Sequence, residues 1–504
     1  MNGELTARVA ALCDDVGRRL APGEAARLVA DVRAKLTQPL SVAVAGGVSS
    51  GKSTLVNALL GQQVAAVDAG ECTRLVTWFR YDHRERIELR LRDGSVRPLA
   101  FAEGRRVPSS VGVDPEQVTG LDVYLSNSGL KELSIIDTPG LNTVTAANEA
   151  TSRSFLGLGE AAESEAHLAM SQADALLFLT PQLRQADADL LAGFRELSRG
   201  SDLTALNTVG VLSKVDKLAG PGEDPLEIGA RLARRAEEQL HGLANRVHPV
   251  IGLLAETAGA DAFTETDART VAVLAALDEM DVEDMLLSTG DLLDTDWGGT
   301  SRSDRARLLA MLDLYGLGVA IATVRQGRRG SAPILAELDR RSGFGALRET
   351  LVGHFGRRAD QLKAHAGICD LRRISFLRGE PKNSRVLRSL RAPLEDLELD
   401  REIQALRVLD ALRAYQVGEL PLPAELAAQL EQLADGHDPV SRLGLARSAS
   451  PAELAATARD RAGQWGTFGN DIRRSPAETR LARAVKQCYE LLWADATTQQ
   501  GAAP

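Results

Sequence analysis

The stretch that most constrains this chain is Val42-Ala43-Val44-Ala45, running through Gly46-Gly47-Val48-Ser49-Ser50-Gly51-Lys52-Ser53-Thr54 into Leu55-Val56-Asn57-Ala58-Leu59-Leu60. The opening run of small and β-branched apolar residues reads as a buried parallel strand. The turn after it fits G-x-x-x-x-G-K-S, and the segment beyond is an amphipathic helix with Leu55, Ala58 and Leu59 on one side. Backbone N–H groups of such a turn, together with the helix N-terminus, cradle a di- or triphosphate. Lys52 is placed to reach the outer phosphates and the Ser53 hydroxyl to reach a Mg²⁺ ion. Strand, loop and helix occur together, as the motif requires, so the chain is expected to bind a nucleotide.

From Leu40 to about Ala258 strands and helices alternate. Arg86 to Arg92 alternates polar and apolar residues before the hairpin turn Asp93-Gly94. Leu133 to Ile136, Ala175 to Leu179 and Val209 to Leu212 are apolar runs of buried-strand length, with helix-like segments such as Ala186 to Leu197 between them. The pattern predicts an α/β domain with a mostly parallel sheet over 39–260. On either side the pattern is helical. Leu5, Val9, Leu12, Val16 and Leu20, then Leu28, Val32 and Leu36, give residues 1–38 two one-faced helices expected to pack into a neck bundle. Strand signals vanish from about Asp261, so 261–504 is expected to form an all-α neck and trunk. Ser450-Pro451-Ala452-Glu453 and Ser475-Pro476-Ala477-Glu478 are capping boxes. The stripe Leu481, Val485, Cys488 and Leu492 is expected to meet the N-terminal helices, and the tail after Ala494 to be disordered.

At 504 residues the chain is too long for one core. Aromatics are only 4%, so cores of Ala, Leu and Val are expected, which suits long helices. The net charge of −10 argues against nucleic acid as a partner. Cys13, Cys72, Cys369 and Cys488 show no metal-ligand spacing and read as reduced thiols of a cytoplasmic protein. No signal peptide is evident, and no stretch approaches the ~20 apolar residues of a spanning helix.

Three further motifs separate GTP from ATP. Asp137-Thr138-Pro139-Gly140 directly follows a predicted strand. There the Asp137 carboxylate can hold a Mg²⁺-bound water and the Gly140 N–H can contact the γ-phosphate. Ser213-Lys214-Val215-Asp216 stands at another strand end. Its carboxylate can accept from the N1–H and exocyclic amine of guanine, a pair adenine lacks, while the Lys214 stem lies on the base face. Thr73, between loop and Asp137, fits equally a surface residue or the second hydroxyl on Mg²⁺. Leu141 follows Gly140, so this position supplies no glutamine to orient water. Another group, such as a backbone carbonyl or a monovalent cation, must help.

With these residues in view, Gly46 to Gly61 resembles the phosphate loop of bacterial dynamin-like GTPases. Cys72-Thr73-Arg74-Leu75-Val76-Thr77-Trp78-Phe79-Arg80 is similar to the switch segment of their actinobacterial branch, the isoniazid-inducible proteins. So are Val250 to Ala255, Leu314 to Leu317 and Arg357 to His365, which carries the likeness to about residue 375. The resemblance implies a GTPase on a helical neck and trunk, with GTP-dependent pairing of GTPase domains and a trunk tip that touches membrane. It implies that Ser49 helps to place a charge-compensating cation. It also implies nucleotide contacts from Gly46, Gly47, Ser50, Gly51, Thr54 and, through the backbone, Gly252 beside Leu253. Ser213 stands where the family has Thr or Asn, and Ile251 where it often has Ser.

One compositional shift bears on the membrane. Residues 325–391 hold 16 Arg/Lys against six Asp/Glu, a net +10 that leaves −20 for the rest of the chain. Within it, 372–391 mixes basic residues with Phe376-Leu377 at a Gly/Pro break, which suits a turn touching anionic lipid and equally a solvated helix pair. The expectation is therefore a GTPase that remodels or tethers the inner face of the cytoplasmic membrane, as a homodimer or with a related chain. A GTP-dependent assembly factor for RNA or ribosomes and a non-hydrolysing nucleotide-binding scaffold remain the alternatives.

Overall fold

The structure is a computed structural model that describes residues 3–65, 75–114, 117–139, 173–185, 187–189, 191, 207–220, 223–240, 243–244, 246–377, 381–416, 418, 420–436, 438–446 and 448–501. Contacts divide the chain into two units. One comprises Pro39–Leu197 and Asn207–Arg357; the other comprises Met1–Gln38 and Arg358–Pro504, with a short insert from the first unit's range.

The first unit is built on a sheet. Its strands are β1 (Leu40–Gly46), β2 (Thr77–Tyr81), β3 (Arg86–Leu91), β4 (Val96–Leu99), β5 (Val118–Leu125), β6 (Leu133–Asp137), β7 (Ala175–Thr180), β8 (Thr208–Ser213) and β9 (Arg246–Val250). Their order is β4-β3-β5-β2-β6-β1-β7-β8-β9. From β6 to β9 every pairing is parallel, while β3 and β4 form the antiparallel hairpin that Asp93-Gly94 predicts. The apolar runs read from sequence all form central strands. Sequence reading missed β2, β5 and β9, which mix polar residues among their apolar ones. β4 and β9 carry Pro98 and Pro249, tolerated because both strands lie at sheet edges. The helix expected over Ala186 to Leu197 falls mostly outside the described residues.

The helices, numbered along the chain, begin with α1 (Glu4–Arg19) and α2 (Glu24–Thr37) of the second unit. Then come α3 (Lys52–Leu60), α4 (Pro225–Gln239), α5 (Gly252–Gly259), α6 (Glu265–Ala275), α7 (Glu279–Leu287), α8 (Thr289–Asp294), α9 (Arg302–Arg325), α10 (Ser331–Ser342) and α11 (Phe344–Thr350). Sequence reading ended the nucleotide domain near 260, whereas the first unit runs on to Arg357. The reason is a shared core. Val271, Leu274, Leu308, Leu317, Ile334 and Leu338 from these helices join Ala43, Ile136, Phe178 and Leu212 from the sheet. Helical periodicity shows that a face is apolar, but not which core it enters. Among the described residues α9 alone is long and apolar enough to cross a membrane, with mean hydropathy 1.6. Its Leu308, Met311, Leu317, Ala320 and Ile321 are buried in the same core.

Helix α9 is broken in the middle. Asp313 has φ 54° and ψ −178°, a region nearly reserved for glycine and worth about 1–3 kcal/mol of strain.

In the second unit, α1 and α2 bury Leu5, Val9, Val16, Val32 and Leu36 against Ile368 and Leu371 of α12 (Arg357–Ser375), Leu387 of α13 (Pro381–Ser389) and Leu394 of α14 (Arg391–Glu398). Gly3 cannot cap α1, and Asp360 does so from a distance. Its carboxylate accepts from the Leu5 and Thr6 amides at 3.1 and 3.0 Å and from the Thr6 hydroxyl at 2.6 Å. A second cluster joins α15 (Arg401–Gln416), α16 (Ala424–Asp435), α18 (Pro451–Gly469) and α19 (Pro476–Gly501), α17 being the short turn Pro439–Arg442. Both capping boxes form, at Ser450/Glu453 and Ser475/Glu478. The stripe Leu481, Val485, Cys488 and Leu492 packs on this cluster rather than on α1 and α2. The short 470–475 turn folds α19 back on α18, a nearer partner than the start of the chain. Helix α19 continues to Gly501, past the point where disorder was expected.

Candidate functional site

Parallel pairing puts the carboxyl ends of five strands on one edge of the sheet. Gly46 ends beside Leu179, Asp137 beside Val44, Thr180 beside Leu212 and Ser213 beside Val250. This edge is where open α/β sheets bind ligands.

The loop from β1 to α3 needs glycine at two places. A Cβ on Gly46 would stand 2.2 Å from the Leu179 carbonyl oxygen, and Gly51 has φ +92°. Ser49 also adopts positive φ, at 60°. The turn is closed by the Ser50 amide donating to the Gly47 carbonyl at 3.3 Å. Lys52, 9% exposed, donates to the carbonyls of Gly46 and Gly47 at 3.1 and 2.9 Å, which holds its ammonium against the loop. Burial lowers the Lys52 pKa, opposed by the charge of Asp137.

Asp137 is fixed by pairing of β6 with β1 on one side and with β2 on the other. Thr138 locks the next residue through its hydroxyl, which donates to the Val44 carbonyl at 2.9 Å. Burial pushes Asp137 up to about 6, against the opposing pull of Lys52 and of the Ser53 hydroxyl, which donates to Oδ2 at 3.4 Å. Oδ1 is shut off from solvent, with no partner among the described residues. A hydroxyl and a carboxylate oxygen so placed fit a hard divalent cation, for which Ser53 and Asp137 would be the ligands. Mg²⁺ held by these two residues would supply positive charge to offset that of a bound phosphate.

The motif at the end of β8 is also shaped by strain. Lys214 is left-handed, with φ 55°, and turns the chain into a tight helical turn over Val215–Lys217. The Asp216 carboxylate is 8% exposed, and burial raises its pKa while Lys217 opposes. At the end of β9 the Ile251 amide is taken by the Ser342 carbonyl at 2.8 Å. Gly252 opens α5 beside the phosphate-loop helix, 3.5 Å from Thr54 as measured from a Cβ built on it. Gly46, Gly47, Ser49, Ser50, Gly51, Lys52, Ser53, Thr54, Asp137, Lys214, Asp216 and Gly252 therefore all lie along one edge. Thr73 and Gly140 lie outside the described residues.

Sequence reasoning missed the pair that ties this edge together. Asn57 of α3 accepts from the Val64 and Ala65 amides at 3.0 and 2.7 Å and donates to Glu256 of α5 at 3.0 Å. Both are buried, and burial raises the Glu256 pKa. A polar residue among the apolar ones of α3 was the available signal.

Strand, phosphate loop, following carboxylate and a second carboxylate at a later strand end define a phosphate-loop nucleotide-binding protein with appended helical bundles. A model of the Dynamin family matches residues 42–215. Isoniazid-induced protein IniC of Mycobacterium tuberculosis is 30% identical over 475 residues, which are 92% of this chain and 92% of IniC. The bacterial dynamin-like protein of Nostoc punctiforme is 29% identical over 122 residues, 21% of this chain and 17% of its own length. A chain of an oligomerised bacterial dynamin pair matches 99% of this chain and 92% of its own at 12% identity, with a TM-score of 0.31. The chain belongs to the dynamin family, among its bacterial members and in the branch of the isoniazid-induced proteins.

Proposed function

We propose that this protein binds GTP with Mg²⁺ at the strand-end edge and hydrolyses it to GDP and phosphate. Turnover is coupled to pairing of nucleotide units, with a second copy or a related chain, and to remodelling or tethering of the inner face of the cytoplasmic membrane. One observation carries the nucleotide half. Among the described residues, Ser50 Oγ, Asp137 Oδ1 and Ser213 Oγ are buried without partners, each at a motif on the same edge. Buried polar atoms are nearly always bonded, and three orphans along one edge point to a polar ligand that spans it. Phosphates against the loop and Lys52, a cation at Ser53 and Asp137, and a purine at Lys214, Asp216 and Gly252 account for all three. Thr73 supplies a second hydroxyl to the cation, Gly140 an amide to the γ-phosphate, and Ser49 helps to place a monovalent cation.

Family membership supports the membrane half, and two turns offer an apolar contact. Phe376, at the end of α12, is 63% exposed, under the Arg391 guanidinium. Ile472, between α18 and α19, is 99% exposed and followed by Arg473 and Arg474. Arg372 and Arg373 pair with Glu398 and Asp370, which leaves 372–391 less free charge than its composition gives.

Phosphate release measured at rising protein concentration tests the first half. Specific activity should rise, and Lys52→Ala should abolish both turnover and GTP binding. Flotation with vesicles containing anionic lipid tests the second: the protein should float with them, and Ile472→Asp with Phe376→Asp should weaken this without altering GTP affinity. GTP binding with no turnover at any concentration would leave a scaffold. Turnover indifferent to vesicles that recruit nothing would remove the membrane.

A further inference from the structure

We propose that Asp313 is a specificity-determining positioning residue of the base pocket: by holding the Lys217 ammonium it keeps the Asp216 carboxylate open to the purine. The inference rests on the base-reading role given to Asp216 above.

Lys217 follows Asp216 directly and lies in the same tight turn. Its ammonium is 2.6 Å from Asp313 Oδ2 and 3.9 Å from Asp216 Oδ2. The first distance is a charge-assisted hydrogen bond and the second is not a hydrogen bond at all. A carboxylate that reads guanine must offer its oxygens to the N1–H and the 2-amine. An ammonium one residue away competes for the same lone pairs. Asp313 removes that competitor.

The conformation of Asp313 shows how firmly it is placed. A residue with a side chain persists at φ 54°, ψ −178° only where its surroundings over-determine it. Four contacts do so. The Leu314 amide donates to Asp313 Oδ1 at 2.7 Å, and Lys217 binds Oδ2. Just before the break the Thr257 hydroxyl donates to the Met311 carbonyl at 2.6 Å. Just after it Gly316 lies so near Leu254 that a Cβ there would stand 2.4 Å from Leu254 Cδ2. Thr257 and Leu254 belong to α5, which Gly252 opens. The break in α9 is thus tied to both loops assigned to the base: through Lys217 to the Asp216 turn, and through α5 to the Gly252 turn. An unbroken helix would carry residue 313 elsewhere and release Lys217.

The test compares GTP with ITP, whose base lacks the 2-amine, in equilibrium binding to the full chain. Asp313→Asn keeps an acceptor for the Leu314 amide and nearly the same side-chain shape, but it loses the charge. It should weaken GTP binding roughly fivefold and narrow the GTP-over-ITP preference, the scale of one charged hydrogen bond in competition. Adding Lys217→Gln should restore both, because the competitor is gone; a merely structural defect at the break would not be rescued this way. Asp313→Gly, free of backbone strain, should lose selectivity as the Asn variant does. Unchanged discrimination in both Asp313 variants, or a loss that Lys217→Gln leaves in place, overturns the proposal. If the unmodified protein itself fails to prefer GTP and Asp216→Ala changes nothing, the base-reading assignment falls first and the role of Asp313 with it.

Discussion

The Asn57–Glu256 pair allows a sharp test of how the site is held. Asn57→Ala leaves the Ala65 amide without its acceptor, the Val64 amide with only the Gln62 carbonyl at 3.1 Å, the Ala65 carbonyl without its side-chain donor, and the buried Glu256 carboxylate without the Nδ2–H that meets it at 3.0 Å. At about 1–3 kcal/mol for each stranded neutral group, and somewhat more at the charge, the loss is about 5 kcal/mol. For a unit of roughly 300 residues the unfolding entropy is ~0.6 kcal/mol/K, so melting of the first unit should drop by about 8 °C. Asn57→Asp is the more discriminating change. It keeps the acceptor for both amides but sets a second carboxylate against Glu256. Burial already raises the Glu256 pKa, so the folded chain holds that proton more tightly than the unfolded one. Stability from a group raised in this way is present at acid pH and lost as pH rises through the folded value. A carboxylate pair must share one proton, which raises the folded value further. The Asp variant should therefore melt well below the unmodified protein at pH 8, and the gap should narrow as pH falls toward 5.5. Calorimetry across that range reads it directly. An Asp variant with unaltered melting and no pH dependence would show that Asn57 does not face Glu256 in the folded protein.

Other consequences are simpler. Gly46→Ala drives a methyl group into the Leu179 carbonyl, so it should cost about 3 kcal/mol and abolish GTP binding, readable by thermal melting and nucleotide titration. Arg305, 4% exposed, donates to the carbonyls of Leu292, Leu293, Thr295 and Thr300, with no carboxylate among these acceptors. Arg305→Lys lacks the planar fork and should destabilise the first unit by about 3 kcal/mol in a denaturant titration. Burial pushes the thiols of Cys13 and Cys488 up to about 12. At pH 8 only about one in ten thousand of each is thiolate, so maleimide should label them after unfolding and spare them before it, as mass spectrometry of digests can show.

Much of this was legible before any coordinates. The strand, glycine turn and Lys52 of the phosphate loop are local in sequence and impose their own geometry. The same is true of the apolar runs that became β6, β7 and β8, and of the two capping boxes. Each depends on neighbours a few residues away, which periodicity and turn chemistry report directly. β2, β5 and β9 were not legible, because their side chains are chosen by what lies across the sheet rather than along the chain.

By itself the sequence determined that an α/β unit with a phosphate loop exists, which residues form that loop and which carboxylates stand at the strand ends beside it. Tertiary structure alone decided where the helices after Gly259 belong, since an amphipathic stripe fits any apolar surface of the right width. It also decided which groups support the site. Asn57 meets Glu256 and Lys217 meets Asp313 across 199 and 96 residues of chain. Such pairings arise from packing, and no local pattern encodes them.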